Sequence, residues 1–132
     1  MISTKGRYAL RVMLDLAERE PGEYIPLKDV AERQEISKKY LEIIVKDLVK
    51  GKLIKGSSGK GGGYMLCRKK EDYTVGEIIE LMEGPLVSVA CLQSDAEQCP
   101  RAGICKTLPL WSELDTVIHD FFYSKKLVDL IK

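Results

Sequence analysis

Apolar residues recur every three or four positions through the first 50 residues, the spacing of one face of an α-helix. The first such segment spans residues 4–20 and ends before Pro21-Gly22. A shorter one, residues 27–34, follows Pro26, which helices accept at their first turn. The apolar positions of these two segments are Tyr8, Ala9, Val12, Met13, Leu16 and Ala17, then Leu27, Val30 and Ala31. The pattern predicts two helices that face a common core.

A third periodic segment starts at Ser37, a residue type that favours the N-cap of a helix. Its apolar positions are Tyr40, Leu41, Ile44, Val45 and Leu48. Gly51 follows, which is typical of the left-handed residue that ends a helix. The second and third segments, joined by a tight turn, predict a helix-turn-helix unit.

The segment after the third helix has the pattern of a β-hairpin. Apolar runs at 53–55 and 64–67 flank the Gly/Ser-rich stretch 56–63. A hairpin at this place is the wing of a winged helix. The predicted fold class is therefore mainly α with a small β-hairpin wing.

Thr74 and Glu77 have the spacing of a capping box and predict a further helix, which Gly84-Pro85 ends. Residues 91–105 show no sustained period. A strongly apolar helix is predicted from 108 or 110 to 123, with a short one around 127–131. We predict a DNA-binding domain at 1–84, a cysteine-rich sensor loop at 85–107, and a dimerisation helix with a short tail helix at 108–132. Core packing is the alternative role for the long helix, whose apolar surface favours a dimer interface.

The length of 132 residues is typical of one domain, or of one domain with a helical extension. Charge is distributed unevenly along it. The net charge is +1, but residues 1–70 hold 16 Lys/Arg and 9 Asp/Glu, or +7, whereas residues 71–132 hold 5 and 11, or −6. The first half of the chain is therefore expected to bind a polyanion. No apolar stretch is long enough to cross a bilayer and no signal segment is visible, so we expect a cytoplasmic protein without membrane contact.

The N-terminal turn of a recognition helix enters the major groove of DNA. Here Lys38 and Lys39 suit phosphates or guanine edges. Ser37 and Tyr40 are expected to donate to phosphate, and Glu42 to accept from a cytosine amino group. The glycine-rich wing would bring backbone amides close to the sugar-phosphate chain. The predicted DNA-binding residues are Lys5, Arg7, Ser37, Lys38, Lys39, Tyr40, Glu42, Ser58, Lys60 and Gly61.

Three of the four cysteines, Cys91, Cys99 and Cys105, have the spacing Cys-x7-Cys-x5-Cys. Thiolates are the usual ligands of iron–sulfur clusters and zinc, and three of them leave one ligand to be supplied by Asp95, Glu97, another carboxylate, a partner subunit or a small molecule. A structural zinc site, a metal-free thiol switch and unliganded cysteines are the alternatives. Cys67 is predicted to be a small buried hydrophobe.

The remaining chemistry-bearing residues do not favour catalysis. The single histidine, His119, is predicted to be an ordinary residue of the long helix rather than a ligand. No Ser/His/Asp set and no paired carboxylates beside a glycine-lined cleft are visible, so the sequence does not predict an enzyme.

Four motifs give the chain a resemblance to the Rrf2 family of winged-helix transcriptional regulators, and within it to the IscR-like, cluster-binding type. They are STKGRYAL at 3–10, ISKKYLE at 36–42, KGGGY at 60–64 and TVGEI at 74–78, together with the three cysteines followed by Trp111. The resemblance covers essentially the whole chain. It implies a homodimer that pairs through the long helix, binds a near-palindromic double-stranded DNA operator, and holds a 2Fe-2S cluster on Cys91, Cys99 and Cys105.

Three positions depart from the family pattern. Some cluster-binding members have a histidine three residues beyond the third cysteine, where this chain has Leu108; some nitric-oxide sensors use an acidic residue near the N-terminus, where it has Arg7. The fourth ligand is thus unassigned. Ser58 replaces a wing arginine that enters the minor groove in some members. Recognition of the minor groove by the wing is therefore expected to be weaker or to be taken over by Lys60.

The predicted function is a regulator whose operator affinity depends on an iron–sulfur cluster and so on cluster supply or redox state. Two alternatives remain open. One is a nitric-oxide or thiol-redox sensor of the same family without a 2Fe-2S cluster. The other is a winged-helix protein–protein adaptor with a structural zinc site.

Overall fold

The computed structural model describes residues 2–89 and 103–131. Five α-helices and a two-stranded hairpin follow one another in the order α1 (Thr4–Ala17), α2 (Leu27–Gln34), α3 (Lys38–Lys50), β1 (Ile54–Ser57), β2 (Gly63–Leu66), α4 (Val75–Glu83) and α5 (Leu108–Ser124). Among the described residues, one 3₁₀ helix, Lys70–Asp72, precedes α4, and another, Leu127–Leu130, follows α5. The predicted mainly helical winged fold is confirmed.

Helix α1 starts where Ser3 accepts a hydrogen bond from the Gly6 N–H (3.2 Å), the usual N-cap interaction. It ends at Ala17, three residues before the predicted end. There the chain tightens, because the Arg19 N–H donates to Leu16 O (3.2 Å) instead of continuing the α-helical pattern. The periodic apolar face is buried as predicted, except that Tyr8 stays half-buried.

The turn between α2 and α3 is set by Glu35, which ends α2 in the left-handed conformation with φ of 54°. Ser37 then caps α3 by accepting from the Tyr40 N–H (3.1 Å). The other end of α3 differs from the prediction. Gly51 has φ of −80°, and Lys52 takes the left-handed conformation with φ of 62°.

The wing strands pair antiparallel, with Ile54 opposite Leu66 and Ser57 opposite Gly63. Strand β1 begins one residue later than the predicted run, and β2 begins one residue earlier than its predicted run. A bridge between Ile25 and Tyr64 joins β2 to the loop before α2 (Ile25 N to Tyr64 O, 2.8 Å). The wing is therefore attached to the helix-turn-helix unit through backbone hydrogen bonds.

Tyr73 fastens the base of the wing to the core. Its ring is completely buried, and its hydroxyl donates to Leu53 O (2.6 Å) while accepting from the N–H groups of Cys67 (3.0 Å) and Arg68 (3.1 Å). Because buried polar groups need partners, one tyrosine both fills the core and satisfies three backbone groups at the strand ends.

The C-terminal segment packs against the winged helix. The Val75 N–H donates to Lys125 O (2.8 Å), the Leu127 N–H donates to Tyr73 O (3.0 Å), and Leu127 is fully buried in the main core. The predicted tail helix is a 3₁₀ helix. In contrast, no residue of α5 is buried within one chain. Among the described helices, none is both long and apolar enough to cross a membrane.

Candidate DNA-binding surface and cysteine segment

The exposed face of α3 is cationic. Its buried face consists of Leu41, Ile44, Val45 and Leu48. The opposite face exposes the predicted residues Lys38, Lys39 and Glu42, and it continues through Ile43, Lys46 and Lys50. The prediction stopped at Glu42 and missed the last three. Extending the helical period from Lys39 by four and seven residues finds Ile43 and Lys46.

The two predicted cations of α1 have different surroundings. The Lys5 ammonium forms an ion pair with Asp47 of α3, and its side chain is 36% exposed. The Arg7 side chain is exposed and donates to Thr4 Oγ1 (3.2 Å). Lys5 thus joins α1 to the recognition helix and is partly neutralised, whereas Arg7 offers its charge to solvent.

Ser37 and Tyr40, predicted to donate to phosphate, also have structural roles. Ser37 Oγ accepts the N-cap hydrogen bond, which leaves its own proton available to a phosphate oxygen. The half-buried Tyr40 ring packs edge-to-face on Tyr8 of α1 (centroids 5.7 Å apart), and the Arg11 guanidinium lies 5.1 Å from the Tyr8 ring centroid. The first turn of the recognition helix is therefore packed against α1.

A buried carboxylate fixes α2 on α1. Asp15 is 2% exposed and accepts from Arg33 Nε (3.0 Å), Arg33 Nη2 (2.7 Å) and Gln34 Nε2 (3.0 Å). The hydrogen bond to Asp15 is the main cause that raises the pKa of Arg33. Arg11 donates to Gln34 Oε1 (3.1 Å) and to the Gln34 backbone oxygen. These contacts hold the end of α2 immediately before the turn into α3.

The wing turn exposes Ser58, Lys60 and Gly61, the three predicted wing contacts. Its glycines have a reason of their own. Positive φ values occur at Gly59 (86°), Gly61 (78°) and Gly63 (148°). Residues that have a side chain adopt such a backbone conformation only with strain. The turn conformation therefore requires glycines whether or not DNA is bound, so the number of glycines is not in itself a sign of DNA contact.

The predicted metal ligands Cys91 and Cys99 lie outside the described residues. Cys105 precedes α5, is partly exposed, and has its Sγ 3.4 Å from Thr107 Oγ1. Within residues 2–89 and 103–131, no group of three or more His, Cys, Asp or Glu side chains is arranged to hold a metal ion. The case for an iron–sulfur cluster therefore rests on the residue types, because thiolates are the usual ligands of the iron atoms in such clusters.

Helix α5 holds the chain near the start of the cysteine segment. Asp115 Oδ1 accepts from the Ser88 N–H (2.7 Å). Asp115 Oδ2 and Ser88 Oγ are buried atoms that have no hydrogen-bond partner among the residues described. This carboxylate accordingly has acceptor capacity left for a further donor.

The two remaining candidates for metal or redox chemistry are on the surface. Cys67 is exposed, so the prediction of a buried hydrophobe is wrong; its position at the end of β2 is held by its backbone N–H, which donates to Tyr73. His119 is an exposed α5 residue that stacks on Tyr123 (centroids 4.4 Å apart) and lies 3.4 Å from Asp120 Oδ1. Its ordinary helical role is the predicted one.

Comparison with known proteins identifies relatives over the whole chain. Residues 2–132 match the Rrf2 family, described as iron-dependent transcriptional regulators. The protein named rrf2 of Nitratidesulfovibrio vulgaris is 34% identical over 131 residues, which cover 99% of this chain and 87% of that protein. The transcriptional regulator IscR of Pectobacterium atrosepticum is 35% identical over 130 residues, covering 98% and 78%.

Solved structures agree with this assignment. CymR, the global cysteine regulator of B. subtilis, superposes with a TM-score of 0.78 at 34% identity and covers 98% of this chain and 95% of its own. IscR of T. potens gives a TM-score of 0.77 at 34% identity, with 99% and 85% covered. These relatives are transcriptional regulators and not enzymes. The chain belongs to the Rrf2 family of winged-helix transcriptional regulators.

Proposed function

We propose that this regulator binds a near-palindromic operator as a homodimer and that a 2Fe-2S cluster on Cys91, Cys99 and Cys105 controls its affinity for DNA. In this proposal residues 1–84 bind DNA, 85–107 sense, and 108–132 dimerise. The observation that carries DNA binding is the cationic exposed face of α3 on a winged helix. A regulator of transcription acts where the chromosome lies, which places its work in the cytoplasm.

In this proposal the predicted DNA-binding residues contact different parts of the DNA. Lys38, Lys39 and Arg7 supply exposed charge to phosphates, and Glu42 faces base edges. Lys5 and Tyr40 contact DNA from positions held by Asp47 and Tyr8. The wing adds Ser58, Lys60 and the Gly61 backbone, and Ser37 donates its hydroxyl proton.

Measuring the salt dependence of binding tests the DNA contacts. The probe is a duplex selected from a random-sequence pool with the unaltered chain. Replacing both Lys38 and Lys39 with Ala is expected to weaken binding and to reduce the slope of log K against log salt by about 0.9 for each lost phosphate contact. Replacing Lys125 and Lys126 with Ala removes the same charge from the end of α5 and is expected to leave the slope unchanged.

Equal slopes for the two double variants would show that the α3 face does not bind phosphate. The comparison is fair because all four lysines are exposed. Both variants change the net charge of the chain by the same amount. Any difference between them therefore reports the position of the lost charges and not their number.

The cluster is supported by the three thiols, by the resemblance to cluster-binding regulators, and by the iron-dependent description of the family. Three thiolates per chain leave the remaining coordination to a carboxylate, a partner subunit or a small molecule. Such incomplete thiolate ligation makes a cluster easier to lose or modify than one held by four cysteines, which suits a sensor. Binding of the cluster would order the cysteine segment and so alter the DNA-binding half.

Anaerobic purification, visible absorption and iron and sulfide analysis test the cluster. The unaltered chain and its Cys67→Ser variant are expected to be coloured and to contain iron and sulfide. The Cys105→Ser variant is expected to lose most of both, since it lacks one of the three proposed ligands. A chain that stays colourless and free of iron after reconstitution contradicts the cluster, and bound zinc in its place favours a structural site.

A thiol-redox regulator without a cluster is the second candidate, and the similarity to CymR of Staphylococcus aureus, whose structure was solved in an oxidised form, favours it. In that case an oxidant would change DNA affinity reversibly in protein free of iron. The cysteines would cycle between thiol and disulfide or another reversible oxidised form. Measuring DNA affinity of iron-free protein before and after oxidation, and again after a thiol reductant, separates the two candidates.

A further inference from the structure

Ile43 is a large apolar side chain on the cationic face of α3, and it is 54% exposed. It is not part of the helix face that packs into the core, which consists of Leu41, Ile44, Val45 and Leu48. Its exposure in the chain is thus a property of the recognition surface. A residue of this kind contributes no charge and no hydrogen bond to a phosphate.

The neighbours of Ile43 indicate what covers it. Lys39 precedes it by four residues and Lys46 follows it by three, the spacings that place side chains on the same helix face. Both lysines are exposed. An apolar protein partner would have to desolvate these ammonium groups, whereas DNA would pair them with phosphates. The charge around Ile43 therefore favours a nucleic acid as the occupant.

The major groove of DNA offers one apolar group to an aliphatic side chain, the 5-methyl group of thymine. The neighbouring exposed residue Glu42 is an acceptor, which suits a cytosine amino group and not thymine. The two adjacent side chains thus have complementary chemistry for reading bases.

We infer that Ile43 is a specificity-determining residue that packs on the 5-methyl group of a thymine in each half of the operator. The inference rests on the proposed DNA-binding function. It adds a residue and a base preference that the exposed lysines do not provide, because lysines on phosphates fix position without reading sequence.

Replacing thymine with uracil removes only the methyl group and is the test. The probe is the duplex selected by the unaltered chain, with each thymine in turn replaced by uracil in both half-sites. One such replacement is expected to weaken binding of the unaltered chain about fourfold per half-site, the effect of exposing one buried methyl group. The Ile43→Ala variant is expected to bind the thymine duplex more weakly than the unaltered chain does. It is also expected to bind the thymine and uracil duplexes equally well.

Val49→Ala is the matched control. Val49 is also an exposed apolar residue of α3 (38%), but it lies at the end of the helix opposite the N-terminal turn that enters the groove. It is expected to keep the full sensitivity to uracil. Circular dichroism melting of the three proteins checks that each is folded.

Results of two kinds overturn the inference, and they are distinguishable. If the chain selects a sequence but no uracil replacement weakens binding, or if Ile43→Ala remains as sensitive to uracil as the unaltered chain, then Ile43 does not read thymine while DNA binding stands. If no sequence is selected from the pool and binding is independent of sequence, then operator recognition itself fails and the inference fails with it.

Discussion

At the scale of a single residue, Gly63 allows the wing to approach the backbone of the loop before α2. A β-carbon at this position would lie 2.2 Å from the Ile25 carbonyl oxygen, in a backbone with φ of 148°. The same carbonyl accepts from the Tyr64 N–H (2.9 Å). The close approach of two backbone segments therefore requires glycine here.

Replacing Gly63 with Ala is expected to lower the free energy of unfolding by about 3 kcal/mol, because the clash is with backbone that cannot turn away. Gly59→Ala is the matched control: Gly59 also has positive φ (86°), but its β-carbon would meet open space. Its expected cost is about 1 kcal/mol. Denaturant unfolding monitored by circular dichroism measures both, and equal costs would show that the Ile25 contact is unimportant.

At the scale of elements, the contact between α4 and α5 centres on Tyr123. Its ring covers Gly76, where a β-carbon would lie 2.4 Å from Tyr123 Cδ2, and its hydroxyl donates to the Glu80 carboxylate. Burial, followed by the hydrogen bond and charge of Glu80, raises the pKa of Tyr123 to about 12. The helix that carries the exposed apolar surface is thus joined to the winged helix through a tyrosine that resists ionisation.

This pKa predicts a pH dependence of stability. The unfolded chain releases the Tyr123 proton near pH 10, its ordinary value being 10.0, and the folded chain releases it near pH 12. The contribution of the protonated contact is therefore complete below pH 10 and decreases as the pH rises from about 10 to about 12. Tyr123→Phe is expected to lack this decrease, which unfolding free energies of both proteins across that range measure.

The change Tyr24→Phe, in the turn before α2, is the control for the loss of a tyrosine hydroxyl. The other tyrosines and the lysines also titrate in alkaline solution, so each variant is compared with the unaltered chain at the same pH. If Tyr123→Phe loses stability with pH as steeply as the unaltered chain does, the α4–α5 contact does not hold the tyrosine in its protonated form.

At the scale of the whole molecule, α5 exposes an apolar stripe that one chain does not cover. Leu110, Leu114, Val117 and Phe121 are 55%, 37%, 64% and 55% exposed and recur at helical spacing. A second copy of the same helix offers a complementary stripe through a twofold axis. The stripe supports the proposed homodimer, and it favours the interface over core packing as the role of the apolar residues of α5.

Replacing Val117 with Glu is expected to convert the dimer to monomers, because it would bury a charge at the centre of the stripe. The monomer fold should persist, since Val117 is mostly exposed in one chain. Binding to a two-half-site duplex is then expected to weaken by at least tenfold, as the two recognition helices are no longer linked. Sedimentation and DNA titration measure the two effects.

Ser112→Glu adds the same charge to an exposed position of α5 outside the stripe and should leave the dimer intact. A Val117→Glu protein that sediments as a dimer would place the interface elsewhere. Loss of DNA binding without loss of the dimer would instead mean that α5 affects the recognition helices through its contact with α4.

Local features of the fold are readable from the sequence alone. Capping by Ser37, the Thr74–Glu77 capping box and the apolar faces of α1 and α3 depend on residues within one helical turn of each other, and all agree with the structure. The cationic character of the first half and the set of three cysteines are likewise matters of residue type. These determined the winged fold, the family resemblance and the candidate residues.

Other features depend on residues far apart in the chain, and only the tertiary structure decided them. Cys67 is exposed although its backbone N–H donates to the buried Tyr73, Lys5 is paired because α3 brings Asp47 beside it, and Asp15 is buried because α2 brings Arg33 over it. Sequence pattern carries no distance between such residues. Side-chain chemistry and helical period are local properties, whereas burial and charge pairing arise only when distant elements pack together.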